Sequence, residues 1–309
     1  MRPMSYAFAE ELARYGPDRT LTPVDRAMAR VYCGRLARGH YENFTVASVL
    51  LPRPLLRHFH AVYAFCRWAD DLADETGGGP RALELLRWWR DELLTCYGDR
   101  PSHPVTVALQ ETIRTFDIPA EPFLDLLFAF EQDQLVKRYR SYEQLLGYCR
   151  CSANPVGRIV LYLFRSFDSG RAALSDSICT ALQLANFWQD VARDYAIGRV
   201  YLPEDDRLRF GYSLEDVGKF TPAFAELLRF EVDRTRDLFY RGFPLVDRVP
   251  AAAKADVELF IRGGLAILRK IEARGFDVWG QRPKLAKWEK GALLAGALWR
   301  RLRPVFHVS

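Results

Sequence analysis

Apolar residues recur every three or four positions along most of the 309-residue chain, the period of helices with one buried face, and no useful stretch alternates as a strand would. Breakers punctuate the pattern at "TGGGP", "YGDRPSHP", "DIPAEP", "FDSGR", "RFGYS" and "RGFPLVDRVP". Between them the spacing predicts helices over 22–38, 53–75, 80–97, 103–116, 120–136, 141–165, 171–197, 222–241, 251–274 and 284–302. None of the breakers resembles an interdomain linker, and no low-complexity tract or long repeat is present. The expectation is a single all-α domain over 1–309, with a core over about 25–285 and a basic amphipathic tail over about 286–309. The apolar run "GALLAGALW" at 291–299 is about half the roughly 18–20 residues needed to span a bilayer.

Composition narrows the function classes. Hydrophobic residues make up 49% of the chain, ample for a core at this length. The net charge of +5 comes from arginines spread along the sequence, without the dense basic block of a nucleic-acid arm. Anionic small molecules or an anionic membrane surface are the expected partners, and no nucleic acid. The six cysteines (Cys33, Cys66, Cys96, Cys149, Cys151, Cys179) fall mostly inside helical patterns, and no secretory signal opens the sequence. That is the pattern of reduced thiols, so the expected location is the cytoplasm. Cys149 and Cys151 have no second pair at zinc-ligand spacing and read as packing residues, and the five histidines form no ligand set.

One stretch conflicts with burial. "FCRWADDLADE", residues 65–75, places three aspartates and a glutamate in a segment that otherwise reads as a buried helix. Like charges four residues apart on a helix repel by about 0.2–0.5 kcal/mol per pair, so a cation is expected with them. At about 100° per residue, Tyr63, Arg67, Asp70 and Asp74 share one narrow stripe, while Asp71 lies about a quarter turn away in a supporting or solvated role. Alone, a D-x-x-x-D is more simply the exposed acidic end of a helix.

The spacing returns in "QLANFWQDVARDYAIGRVYLP", residues 183–203, at Asp190 and Asp194, with Gln183 and Asn186 within about 60° on the same face. Two such stripes facing each other in a helical bundle would gather four carboxylates around a central cavity, which is untenable without cations. Mg²⁺ suits that donor set, because it takes oxygen ligands from a few carboxylates, waters and substrate phosphates. A diphosphate substrate follows, with Arg67, Arg193 and Arg199 available to neutralise its leaving group.

Together, "YAFCRWADDLAD" and "NFWQDVARDYAIGRVYLP" resemble the squalene/phytoene synthase family, head-to-head (1′-1) prenyl transferases with an all-α isoprenoid-synthase fold. The resemblance spans about residues 25–285, and the paired motifs are highly specific. Position by position it implies that Asp70, Asp74, Asp190 and Asp194 ligate two or three Mg²⁺ ions. Tyr63, Arg67, Gln183 and Asn186 then bind or orient the diphosphate or its metals, with Asn186 also a metal ligand. Tyr41, Tyr148, Arg199 and Tyr201 are implied substrate contacts. The family usually has Arg immediately before the second motif's first Asp; here that position is Gln189, so one phosphate contact lacks its counterpart.

A third segment sharpens the resemblance. "YCRCSANPVGRIV", residues 148–160, lies where the family commonly reads Y-C-x-x-V-A-G-x-V-G, small residues that let a prenyl chain approach the helix backbone. Ser152 and Asn154 replace Val and Gly, adding hydrogen-bonding groups, and Pro155 frees the Cys151 carbonyl and bends the helix. A kinked core helix with satisfied polar groups is the plainer alternative. With "GHYENFTVASVLLP" at 39–52, the pattern resembles the hopanoid-pathway branch that converts presqualene diphosphate to hydroxysqualene. The implied reaction is Mg²⁺-assisted ionisation, rearrangement and water capture, with aromatic side chains shielding the cation and Asn154, Ser152 or the Cys151 carbonyl holding the water. NADPH is not expected.

Condensation of two farnesyl diphosphates to presqualene diphosphate or squalene, or of two geranylgeranyl diphosphates to phytoene, uses the same motifs. A non-catalytic lipid-binding or assembly protein is the reading from another class, and retention of all four aspartates opposes it. Further partners implied are a presqualene diphosphate synthase upstream and a hydroxysqualene reductase downstream. The stretch from Trp288 to Val305 carries Lys290, Arg300, Arg301 and Arg303 and suits peripheral contact with the inner face of the cell membrane as well as it suits core packing. The loop with Tyr41, Glu42, Asn43 and Phe44 reads as a lid or a plain connection, and Asp133, Lys137, Arg138 and Arg140 as a solvated face or a rim for anionic substrate. Arg282 and Lys284 are placed only loosely, as residues that approach the diphosphate in such a fold.

Overall fold

The computed structural model describes residues 8–19, 24–39, 51–98 and 100–302, with side chains through 297. Tyr41 and the loop from 40 to 50 lie outside the described residues. Among the described residues the helices are α1 Phe8–Tyr15, α2 Arg26–Gly39, α3 Arg53–Asp74, α4 Gly79–Thr95, α5 Pro104–Phe116, α6 Glu121–Leu135 and α7 Tyr142–Ser152. They continue as α8 Asn154–Leu163, α9 Ser169–Ala196, α10 Glu204–Arg209, α11 Pro222–Gly242, α12 Leu245–Arg248, α13 Ala251–Glu272 and α14 Lys287–Leu302. The described residues contain no strand beyond an isolated bridge between Arg138 and Val200.

The expected helices are present with ends moved by a few residues, except that 141–165 divides at Ala153 into α7 and α8. Ala153 leaves helical geometry (φ −121°, ψ −48°) while its N–H still reaches the Cys149 carbonyl at 3.0 Å. Pro155 follows two residues later, so the break stands where the missing N–H and the proline ring disfavour continuous helix. Starts are marked by side-chain caps: Asp168 accepts from the Arg171 N–H before α9, and Thr221 from the Phe224 N–H before α11. The unexpected α1, α10 and α12 have 8, 6 and 4 residues, too short to carry a clear period.

The chain divides into two compact units, 1–135 with 159–165, and 136–158 with 166–309. In the first, α3 buries Ala61, Ala64, Phe65, Trp68, Ala69 and Leu72 among residues of α2, α4, α5 and α6, joined by Ile159 and Leu163 from the second half of α8. Trp68 stacks on Trp89 at 5.3 Å between ring centroids, meets the His103 ring edge-on at 4.5 Å and donates its indole N–H to the Tyr32 hydroxyl at 3.1 Å. Each such aromatic burial contributes about 1.5–3 kcal/mol, which fixes the rotation of α3 and turns its remaining face outward.

In the second unit the 28-residue α9 packs against α7, α11, α12 and α13. Its buried face includes Leu184 and Trp188, and Trp188 donates its indole N–H to the Thr235 hydroxyl of α11 at 2.8 Å. Gly264 of α13 lies against Phe239 so closely that a Cβ there would overlap the ring.

Candidate active site

On α3, Tyr63, Arg67 and Asp70 are partly exposed and Asp74 is exposed, as the stripe geometry requires. Asp71 does not take the solvated role open to it. It is 1% exposed and receives two bonds from Arg67, one of them from Nε at 3.0 Å. Arg67 Nη1 stands 3.3 Å from Asp70 and Nη2 3.5 Å from Glu75. The i, i+4 spacing of Arg67 and Asp71 explains the pairing, since that offset brings side chains together on a helix more directly than the stripe to Asp74 does. Burial pushes the Asp71 carboxyl up to about 7 against the pull of the Arg67 guanidinium. Burial likewise raises the Tyr63 phenol above its ordinary value.

On α9, Gln183 and Asp194 are partly exposed, Asn186 is exposed and Asp190 is buried. Arg282, from the segment between α13 and α14, donates to both oxygens of Asp190, through Nε to Oδ1 and through Nη2 to Oδ2 at 2.7 Å. Exposed Arg193 lies farther off, its Nε 3.8 Å from Asp190. Gln189, the residue that departs from the family pattern, is buried and donates its side-chain N–H to the Pro283 carbonyl. Arg199 N–H bonds the Asp194 carbonyl at 2.8 Å. Tyr201 is buried, stacked on Phe187 with centroids 3.7 Å apart, with Tyr139 and Tyr148 next in the same aromatic cluster. Phe187, Asp194, Arg199 and Tyr201 border a cavity of about 10 Å³, at the lower limit for one water.

The stretch holding Lys137, Arg138 and Arg140 is tied beside that site by backbone bonds, Val200 N–H to the Lys137 carbonyl at 2.8 Å and Asp205 N–H to the Arg140 carbonyl at 2.9 Å.

At the α7–α8 break, Ser152 is the last residue of α7 and its hydroxyl is buried without a hydrogen-bond partner among the described residues. Asn154 opens α8, is 3% exposed, and accepts from the Thr180 hydroxyl of α9 at 2.9 Å. Gly157 has a second use. A Cβ there would collide with the Ser175 hydroxyl and the Cys179 thiol, so its smallness serves the contact of α8 with α9, whatever it offers a prenyl chain.

Among the described residues no three His, Cys, Asp or Glu side chains form a ready-made metal cage. The donor chemistry nevertheless fits Mg²⁺. Asp70, Asp74 and Asp194 are carboxylates with solvent-facing surface, suited to a hard cation that keeps waters and accepts phosphate oxygens. Asp190 has the same chemistry with a guanidinium already on both oxygens.

The helical architecture is that of the all-α isoprenoid synthases. The chain belongs to the squalene/phytoene synthase family, whose family model matches residues 37–289. Squalene synthase HpnC from Alicyclobacillus acidocaldarius is a structural neighbour at TM-score 0.79 and 43% identity, covering 82% of this chain and 97% of that one. Phytoene synthase from Thermus thermophilus is 33% identical over 267 residues, 85% of this chain and 90% of the relative. Hydroxysqualene synthase from Zymomonas mobilis is 38% identical over 191 residues, 59% of this chain and 62% of the relative. The family's enzymes act on prenyl diphosphates such as farnesyl diphosphate and generally use Mg²⁺. Among the described residues no helix is long and apolar enough to cross a membrane.

Three contacts were not legible in the sequence: Arg67 with Asp71 in the first unit, and Thr180 with Asn154 and Arg282 with Asp190 in the second. One available signal is the recurrence of W-x-D-x-x-x-D at Trp68, Asp70, Asp74 and again at Trp188, Asp190, Asp194. It marks two helices anchored by a buried tryptophan with aspartates next to it. The remote partner Arg282 has no such local mark.

Proposed function

We propose that the chain converts presqualene diphosphate and water to hydroxysqualene and inorganic diphosphate. The observation that carries the reading is the polar pair at the α7–α8 break, where the buried Ser152 hydroxyl and the Thr180-held Asn154 amide stand two residues apart. The 38% identity with a hydroxysqualene synthase supports it. Asp70, Asp74, Asp190 and Asp194, with Asn186, would hold Mg²⁺ together with the diphosphate. The bound ions supply charge neutralisation as the carbon–oxygen bond to diphosphate breaks. Arg67 and Arg199 donate to diphosphate oxygens, and Tyr63 and Gln183 orient the group.

The rearranged carbocation then takes the oxygen of one water, and one proton is released. Thr180 binds Asn154 through the amide oxygen, which leaves the amide N–H groups to position that water. The Ser152 hydroxyl accepts from it. Tyr148 and Tyr201 belong to the aromatic cluster that shields a cation and excludes other water. Formation of squalene or phytoene from two prenyl diphosphates is the second reading, favoured by the larger share of the chain aligned with a phytoene synthase.

Incubation of the protein with presqualene diphosphate and Mg²⁺, followed by analysis of the extracted lipid, is the deciding assay. Hydroxysqualene is expected; conversion only to squalene or phytoene-type hydrocarbons, or none, rejects the reading. In Asn154→Ala, Mg²⁺-dependent diphosphate release should persist while hydroxysqualene falls relative to hydrocarbons. An unchanged product ratio in a folded variant shows that another group holds the water.

A further inference from the structure

We propose that Arg282 is an internal cation that closes Asp190 to metal until displaced, and that Gln189 is the residue positioning it. The inference rests on the reading of Asp190 as a Mg²⁺ ligand. The two α9 neighbours Gln189 and Asp190 grip the two neighbours Pro283 and Arg282 of the segment that joins α13 to α14. One grip is an amide on a backbone carbonyl; the other is a guanidinium fork on both carboxylate oxygens. Side-chain exposure is 11% at Asp190 and 31% at Arg282, so the carboxylate end of the pair is the more enclosed.

The chemistry makes the two cations exclusive. The same lone pairs that accept the forked guanidinium would have to face a metal ion, and Mg²⁺ tolerates little departure from its octahedral geometry. A buried carboxylate is costly when uncompensated, so without metal Asp190 benefits from Arg282, and with metal it no longer needs it. Asp70 differs, being half exposed, with Arg67 at 3.3 Å bound more closely to Asp71. The neutral Gln189 fits this arrangement. A second guanidinium at that position would crowd positive charge against Arg282, whereas an amide ties down the neighbouring carbonyl without contributing charge. The device biases the protein against filling its second aspartate pair with metal alone.

The test is metal binding, read by electron paramagnetic resonance with Mn²⁺ on the full chain without diphosphate, and thermal unfolding with and without Mg²⁺. Arg282→Gln should bind Mn²⁺ on the order of 5–50-fold more tightly than the unaltered chain, unfold at lower temperature without metal, and recover more on adding Mg²⁺. Gln189→Ala should shift affinity in the same direction by less. Equal or weaker Mn²⁺ binding by folded Arg282→Gln overturns the proposal. If that variant fails to fold, Arg282→Lys, whose ammonium cannot fork both oxygens, replaces it, with intermediate tightening expected and unchanged affinity again overturning the latch. Adding Asp190→Asn to Arg282→Gln separates the two levels of argument. If the tighter Mn²⁺ binding of Arg282→Gln survives in the double variant, Asp190 is not a metal ligand and the latch falls with that reading. Weaker binding in the double variant beside unchanged binding in Arg282→Gln alone sinks only the latch.

Discussion

On α3, Asp70 stands half in solvent with Arg67 three residues before it on the same helix, and that arginine is committed mainly to buried Asp71. On α9, Asp190 is buried and its arginine arrives from 92 positions along the chain. Both helices set a fully buried tryptophan two residues before the first aspartate, Trp68 and Trp188, each donating its indole N–H to a hydroxyl on a neighbouring helix. The anchor is thus alike and the charge balance is not. Asp70 has its cation within a helix turn, where the pairing forms as soon as the helix does. The forked bond on Asp190 depends on tertiary structure and is correspondingly open to control by whatever competes for it.

The largest effect that tests this contrast is on turnover. Asp70→Asn and Asp190→Asn should each lower Mg²⁺-dependent turnover of the prenyl diphosphate by about 10²-fold or more, since an amide is a weaker ligand than a carboxylate. Their stabilities should diverge. Asp70→Asn should change unfolding free energy by less than about 0.5 kcal/mol, and Asp190→Asn should cost about 1–3 kcal/mol through its lost forked bond. Denaturant melts of the two variants with equal midpoints would erase the distinction between a local and a remote counter-ion.

An effect on stability alone is expected at the buried anchor of the first stripe. Asp71→Asn leaves Arg67 without its forked partner and should cost about 2–4 kcal/mol, read as a shift of the urea midpoint at constant slope. A cost near zero would place the main partner of Arg67 elsewhere.

The smallest concerns what lies behind each tryptophan. Trp68 rests on His103, which is wholly buried and caps α5 by accepting from the Val105 N–H. Burial holds its ring neutral down to about 3. Trp188 rests on Thr235, which does not titrate in this range. Between the ordinary histidine value near 6.5 and about 3, the unfolded chain therefore binds one more proton than the folded one. The contribution of neutral His103 is complete above about pH 6.5 and is lost as pH falls through that window, at up to about 1.4 kcal/mol per pH unit. Urea melts of His103→Gln at pH 7, 5 and 4 should show a shallower acid loss than the unaltered chain. Parallel losses would exclude the histidine as the source.

The legibility of the chain follows the range of the interactions involved. The course of α3 was clear from its apolar spacing, the prolines at its start and the "TGGGP" after it, and helix geometry placed Asp70 and Asp74 on an outward face. The family was readable for the same reason, because both aspartate motifs are local. The break at Ala153 was half legible: Pro155 announced a bend, while the departure of Ala153 from helical geometry, two residues before it, carries no mark of its own in the sequence. The angle left Asp71 between a supporting and a solvated role, because a quarter turn can lead to solvent or to a buried pocket, and packing decides for the supporting one. Arg282 was unreadable as a partner of Asp190, since an ion pair across 92 residues leaves no period, and Gln189 looked like a missing phosphate contact before its bond to Pro283 gave it a task.

The excursion of the chain through α7 and α8 carries a consequence for biosynthesis. The first unit takes Ile159 and Leu163 into its core, yet its other helices are complete by Leu135. A nascent chain that has emerged only that far holds the six helices described in this unit around a gap, with apolar side chains such as Phe59 deprived of neighbours like Phe164. Closing the gap requires synthesis of about thirty further residues, most of which belong to the other unit. At roughly 5–20 residues per second this leaves a few seconds in which the partial core is exposed to chaperones or to aggregation. It also means that a fragment ending at residue 135 lacks part of its own interior, so a boundary drawn by sequence position alone would cut through a core rather than between two.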